Sequence, residues 1–155
     1  MEARPDLTIT GVDVLERDDC GIPMAVFDGE TLPFGDGEFD AVLFVDVLHH
    51  TVDPFVLLEE AVRVARSFVA MKDHTRNGLF AEVTLKFMDK IGNARHGVAL
   101  PFTYWSRGQW MAAFEQLRLS LEVWKGHVPL YPWPASLIFT RKLHFCALLS
   151  KGEKP

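Results

Sequence analysis

Residues 41–47, Ala-Val-Leu-Phe-Val-Asp-Val, constrain the fold more than any other stretch of the chain. Asp46 alone interrupts the apolar run, so both faces of an extended segment there would shed water. Such a segment suits a central strand of a parallel sheet, buried on two sides. A parallel sheet needs helices to carry the chain back. Asp53-Pro54 supplies the start of one, with Asp suited to the N-cap and Pro to the first helical position. Leu58, Ala61, Val62 and Ala65 then recur at helical spacing, while Glu59, Glu60, Arg63 and Arg66 can face solvent.

The same alternation runs along the rest of the chain. Leu7–Val14 and Ala25–Phe27 are short strand candidates, each ending at an acid, Asp13 and Asp28. Residues 34–39, Phe-Gly-Asp-Gly-Glu-Phe, predict a turn. Phe68–Met71 is the next strand, closed by Lys72-Asp73-His74. Leu79–Ile91 predicts a helix with Phe80, Val83, Phe87, Met88 and Ile91 on one stripe and Gly92-Asn93 as its stop. Ser106-Arg107-Gly108-Gln109 is a capping-box pattern leading a helix that carries Trp110, Ala113, Phe114 and Leu117. Leu119–Trp124 and Leu143–Leu149 are the last two strands, and without a helix between them they are expected to pair antiparallel. Residues 125–142 join them through Pro129, Pro132 and Pro134, and Tyr131 and Trp133 there could cover an apolar pocket. The expected fold is α/β: a Rossmann-like, mostly parallel sheet with helices on both faces and an antiparallel C-terminal strand pair.

Composition narrows the function classes. The 16 basic residues are scattered among 21 acidic ones, for a net charge of −5, so no footprint for a nucleic-acid backbone exists. Cys20 and Cys146 lie far apart, which argues against a disulfide framework and for a reducing, cytoplasmic setting. No apolar run approaches the ~18 residues that membrane insertion requires.

Strands ending in carboxylates place acceptors where doubly wound sheets bind ligands. Asp13 and Asp28 can each be a simple turn former or a ligand to hydroxyl and amine donors. His49 and His50 follow the apolar strand; adjacent histidines on a strand would face opposite ways, so no shared metal is expected. No Cys/His cluster has zinc spacing, and the metal expectation is none. Asp73 and His74 end a strand, where a carboxylate beside an imidazole can orient a proton acceptor, or simply meet water. His96 lies in a loop that could face substrate. His127 and His144 read as surface or satisfied core positions.

Taken in order, Gly11-Val12-Asp13, Phe27-Asp28-Gly29-Glu30-Thr31-Leu32-Pro33-Phe34, Gly37-Glu38-Phe39-Asp40-Ala41-Val42, Val47-Leu48-His49-His50, Asp53 and Arg63-Val64 resemble class I S-adenosylmethionine-dependent methyltransferases. The subgroup with the Asp…Leu-Pro-Phe…Phe-Asp…Leu-His-His order is the nearest in pattern. The resemblance covers residues 7–75 motif by motif. It implies that Asp13 binds the ribose hydroxyls of S-adenosylmethionine, that Asp28 meets the adenine amine with Gly29 supplying backbone, and that Val45, Asp46 and Val47 pass beside the methionine part. His50, Asp73 and His74 are the candidate catalytic residues. A small-molecule acceptor reacting through O, N or C is expected.

The family's glycine-rich loop, with its strand and helix, should precede Leu7, and only six residues do. A single methyltransferase-like domain over 1–155, N-terminally truncated relative to the family, is therefore expected. In the family's sheet the missing strand lies between the second and the fourth. Its loss implies a fragment, a sheet that has closed up, or a second chain in the gap, including a possible homodimer. The alternative function is a non-catalytic remnant acting as a binding or oligomerisation module. A nicotinamide oxidoreductase and a Ser hydrolase are disfavoured, since neither a dinucleotide fingerprint nor a Gly-x-Ser-x-Gly elbow is present.

Overall fold

The computed structural model describes residues 6–16, 19–93, 101–139 and 142–152. Six strands appear: β1 (Gly11–Asp13), β2 (Met24–Val26), β3 (Phe39–Val45), β4 (Ala65–His74), β5 (Leu119–Lys125) and β6 (His144–Lys151). The helices are α1 (Pro54–Val64), α2 (Ala81–Asn93), α3 (Arg107–Gln116) and the short α4 (Ser136–Phe139), with a 3-10 turn at Leu48–His50. β1 and β2 form a parallel pair, and a second sheet has the order β3-β4-β6-β5. β3 runs parallel to β4, while β6 is antiparallel to both β4 and β5. The expected antiparallel end of the sheet is therefore present. Among the described residues β1 does not pair with β3, so the sheet has not closed up.

Local chemistry accounts for the helix starts. The Asp53 carboxylate accepts from the Phe55 backbone N–H at 2.9 Å, and Pro54 opens α1. At α3 the capping box is complete, with Ser106 and Gln109 each accepting from the other's backbone N–H. α1 buries Leu57, Leu58, Ala61 and Val64 against Phe44, Val69 and Met71. On the same face Trp110 and Phe114 of α3 meet Phe145, Ala147 and Leu149 of β6. A smaller cluster joins Ala81 and Leu85 of α2 to Tyr104 and Leu143.

Arg63 ties the segment after β2 to α1. Its guanidinium donates to the carbonyls of Leu32 and Phe34 and to the Glu60 carboxylate, which in turn accepts from the Leu32 N–H. This clamp holds the Leu-Pro-Phe turn, and with it the loop that begins at Asp28, against the core.

Two expectations fail on packing. β3 is an edge strand of its sheet, and Leu43 and Val45 are 67% and 55% exposed while Phe44 is buried. An apolar run states that both faces tolerate burial; it does not supply the cover, and α1 covers only one face. Most of the stripe expected on α2 points outward, with Phe80, Val83, Phe87 and Ile91 all more than half exposed. Only Met88 of that stripe packs inward, beside Ala81 and Leu85, because apolar residues occupy more than one face of the helix.

Leu58 sits at the centre of the α1 contact and is fully buried. Leu58→Ala is expected to lower unfolding free energy by about 2–5 kcal/mol in urea titration, whereas Val52→Ala, at an exposed position, changes it by less than about 0.5 kcal/mol.

Candidate functional site

Parallel β3 and β4 finish on the same edge of the sheet, and antiparallel β6 starts there. His74, the last residue of β4, is the register partner of His144, the first residue of β6. The chain leaves β3 through Asp46, which takes a left-handed φ of 54°, and enters the 3-10 turn that carries His49 and His50. Four histidines thus converge at one edge. Ring centroids lie 4.0 Å apart for His49–His50, 4.3 Å for His49–His74 and 4.6 Å for His74–His144.

Asp73 organises this cluster. It has no solvent exposure, and its carboxylate accepts from the Leu48 N–H at 2.9 Å, the His74 N–H at 2.7 Å and His49 Nδ1 at 2.6 Å. The far nitrogen of His49 lies 3.5 Å from Asp89 of α2, whose carboxylate also accepts from the Tyr104 hydroxyl. Asp46 is paired with the Lys72 ammonium. A cavity of about 300 Å³ opens onto these groups, lined also by Met88 and Tyr131.

Burial and charge oppose each other here. Burial alone would raise the Asp73 carboxyl, but hydrogen bonds from His49 and His74 hold it well below the usual carboxylate range. Burial would lower His49, and the Asp73 hydrogen bond and charge outweigh it, so His49 is pushed up. His50 is lowered by burial and by neighbouring His49. Burial, then the charges of His74 and Lys72, bring His144 down to about 4, so its ring is neutral near pH 7. Burial and the hydrogen bond to Asp89 raise the Tyr104 phenol.

The remaining residues expected to bind a ligand lie at the carboxyl ends of β1, β2 and β3. Asp13 closes β1; its carboxylate accepts from the Leu15 N–H at 3.0 Å, and its carbonyl accepts from the Phe27 N–H at 3.1 Å. Asp28 is exposed and accepts from the Glu30 and Thr31 N–H groups, which hold it below the usual range. Both acids therefore shape turns through their carboxylates. Gly29 has a φ of +91°, a conformation that favours glycine, beside Val14. Val45 and Val47 are exposed and flank the half-buried Asp46.

Several sequence expectations change in this setting. His49 and His50 do not alternate on a strand; the 3-10 turn puts their rings side by side. Asp73 does not meet water, because β6 and the 3-10 turn cover it, and His74 is buried except where it lines the cavity. His144 is buried but not satisfied, with neither ring nitrogen in a hydrogen bond. Tyr131 does line the cavity, whereas Trp133 is 80% exposed. His96 lies outside the described residues. Sequence reasoning missed the joining of His49 to Asp73, and with it Lys72, Asp89 and His144 as cavity groups. One signal was available: an antiparallel strand begins where its partner ends, which brings His144 to His74.

Comparison with known proteins bears on the fold that carries this geometry. The family model described as "Methyltransferase domain" matches residues 5–68. A chain of the complex between the Haloferax volcanii Trm112 methyltransferase activator and a candidate methyltransferase superposes with a TM-score of 0.68 at 17% identity, over 93% of this chain and 72% of that one. An S-adenosylmethionine-dependent methyltransferase from Mesorhizobium loti gives 0.64 at 12% identity, over 92% and 79%. The [4+2]-cyclase SpnF gives 0.65 at 14% identity, over 94% and 66%. No curated protein matches the chain. The chain shares the Rossmann-like α/β fold of these structures, and the methyltransferase-domain match lies in its N-terminal part. No helix among the described residues is long and apolar enough to cross a membrane.

Asp73→Ala strips partners from two backbone N–H groups and a buried imidazole, and is expected to cost about 3–5 kcal/mol of stability. The ionised carboxylate stabilises the fold above its unfolded value of 3.8, and that contribution is lost as pH falls from there toward the lower folded value. Asp73→Asn should therefore flatten the acid limb of a stability–pH profile measured by urea unfolding.

Proposed function

We propose that this chain transfers a methyl group from S-adenosylmethionine to a small-molecule acceptor through an O, N or C nucleophile. The observation that carries the reading is a buried Asp/His cluster at the carboxyl edge of β3 and β4, in a chain where Asp13 closes β1 and Asp28 follows β2, on a methyltransferase fold. The donor and acceptor chemistry fits the cofactor. Asp28 is held ionised and accepts only, as an adenine amine or a hydroxyl requires of its partner. Asp13, one strand over, is the acid for the ribose hydroxyls. Gly29 leaves bare backbone beside them, and Val45, Asp46 and Val47 offer apolar side chains and a carboxylate to the methionine part.

The bound cofactor would supply an electrophilic methyl group, so positioning and a dry pocket account for much of the rate. Where the acceptor must lose a proton, His50 and His74 are the candidate acceptors. His50 is held neutral by burial, and its Nδ1 is buried without a hydrogen bond. Asp73 is a positioning residue: it fixes His49 through Nδ1 and the His74 backbone through its N–H.

A second reading, a binding module without methyl transfer, is favoured by one observation: among the described residues no ladder joins β1 to β3. The acids of β1 and β2 are then positioned by the Arg63 clamp and core packing rather than by a continuous sheet. Calorimetric titration with S-adenosylhomocysteine separates the two. Methyl transfer expects saturable micromolar binding that Asp13→Ala weakens roughly tenfold or more, about 1.4 kcal/mol. A folded chain with no heat of binding would favour the module.

A further inference from the structure

We propose that Asp46, His74 and His144 form a binding site for a divalent transition-metal ion at the mouth of the cavity. One ligand atom from each of the three lies within 4.8 Å of the other two. Three separate strands deliver them, and the β4–β6 ladder fixes the backbones of His74 and His144 as direct register partners. The positions of the two imidazoles are thus set by sheet hydrogen bonds before any ion arrives.

His144 carries the argument. It is 2% exposed, it lines the cavity, and neither of its ring nitrogens has a hydrogen-bond partner. A buried polar group left unpaired is costly, and a native fold keeps one where something else satisfies it. An imidazole nitrogen that carries no proton presents a lone pair, the form in which histidine binds metals. His74 Nδ1 lies 3.7 Å from Asp46 Oδ1 and 3.2 Å from His49 Nδ1, which is itself 2.6 Å from the Asp73 carboxylate. Asp73 accepts from the His74 backbone N–H at 2.7 Å and so helps to fix the end of β4 that carries this ligand.

Two imidazoles and one carboxylate suit zinc, iron, cobalt or nickel rather than magnesium or calcium, which prefer oxygen ligands throughout. Lys72 competes: its ammonium already pairs with Asp46, so an ion must share that carboxylate with it. His49, His74 and Asp89 also meet the distance requirement. There, however, His49 and Asp89 are engaged by Asp73 and Tyr104, and the unpaired nitrogens of His144 play no part. An ion on His74 would remove that ring as a proton acceptor and leave His50 for that role.

The site does not depend on methyl transfer, and it is tested with the metal alone. Tag-free, chelator-treated protein is titrated with Co²⁺ and with Zn²⁺, following visible d–d absorption and heat. One equivalent is expected to bind and to raise the thermal midpoint. His144→Gln and Asp46→Asn should each weaken binding by roughly tenfold or more. Lys72→Met should tighten it, and exposed His127→Gln should leave it unchanged. Should His144→Gln fail to fold, Asp46→Asn and Lys72→Met decide the matter, since neither side chain belongs to the apolar core. Absence of binding, binding equal in all variants, or loss with Asp89→Asn but not with Asp46→Asn would overturn the assignment. The S-adenosylhomocysteine titration stands apart, so either idea can fail alone.

Discussion

A carboxylate with no access to water organises this molecule's functional edge. Asp73 must have its lone pairs filled by protein, and it takes them from Leu48, His49 and His74. Those bonds join the end of β4 to the turn after β3, two segments more than twenty residues apart in sequence. An isolated buried charge is costly, so the turn has to dock where its N–H groups and imidazole can reach that carboxylate. The positions of His49 and His50, and the mouth of the cavity, follow from that requirement. The raised His49 and lowered Asp73 are the electrostatic record of the same pairing.

The remainder of the fold serves this edge from one side. α1 and α3 lay a continuous apolar core against one face of the four-stranded sheet, and α2 closes a smaller cluster near the cavity. The β1–β2 pair stands as its own sheet, and the segment that follows it is clamped to α1 by Arg63 and Glu60. Ladder hydrogen bonds hold the histidines, whereas side-chain hydrogen bonds to backbone hold the loop after Asp28. The two halves of the candidate site therefore rest on different kinds of interaction. The histidine half is the more rigid by construction, because strand register leaves little freedom to its backbone.

Legibility in the sequence tracked how local each cause was. The α1 start at Asp53-Pro54 and the Ser106–Gln109 capping box were readable because a cap is decided within four residues. The order of elements and the antiparallel final strands were readable from the alternation of apolar runs and turn residues. β3 misled, because an apolar strand reports what its faces tolerate and not what covers them. α2 misled for a related reason: with apolar residues on more than one face, periodicity alone could not choose the buried one.

By itself the sequence determined the α/β class, the capped starts of α1 and α3, and the acids at the end of β1 and just after β2, since each rests on neighbours a few positions away. The tertiary structure alone decided that Asp73 would be buried, that His49 would be its partner, and that His144 would arrive beside His74 with its ring nitrogens unpaired. Those contacts join residues 24 to 70 positions apart through strand register and sheet order. No short window of sequence contains such a contact, because it exists only once the strands that carry its two halves have paired.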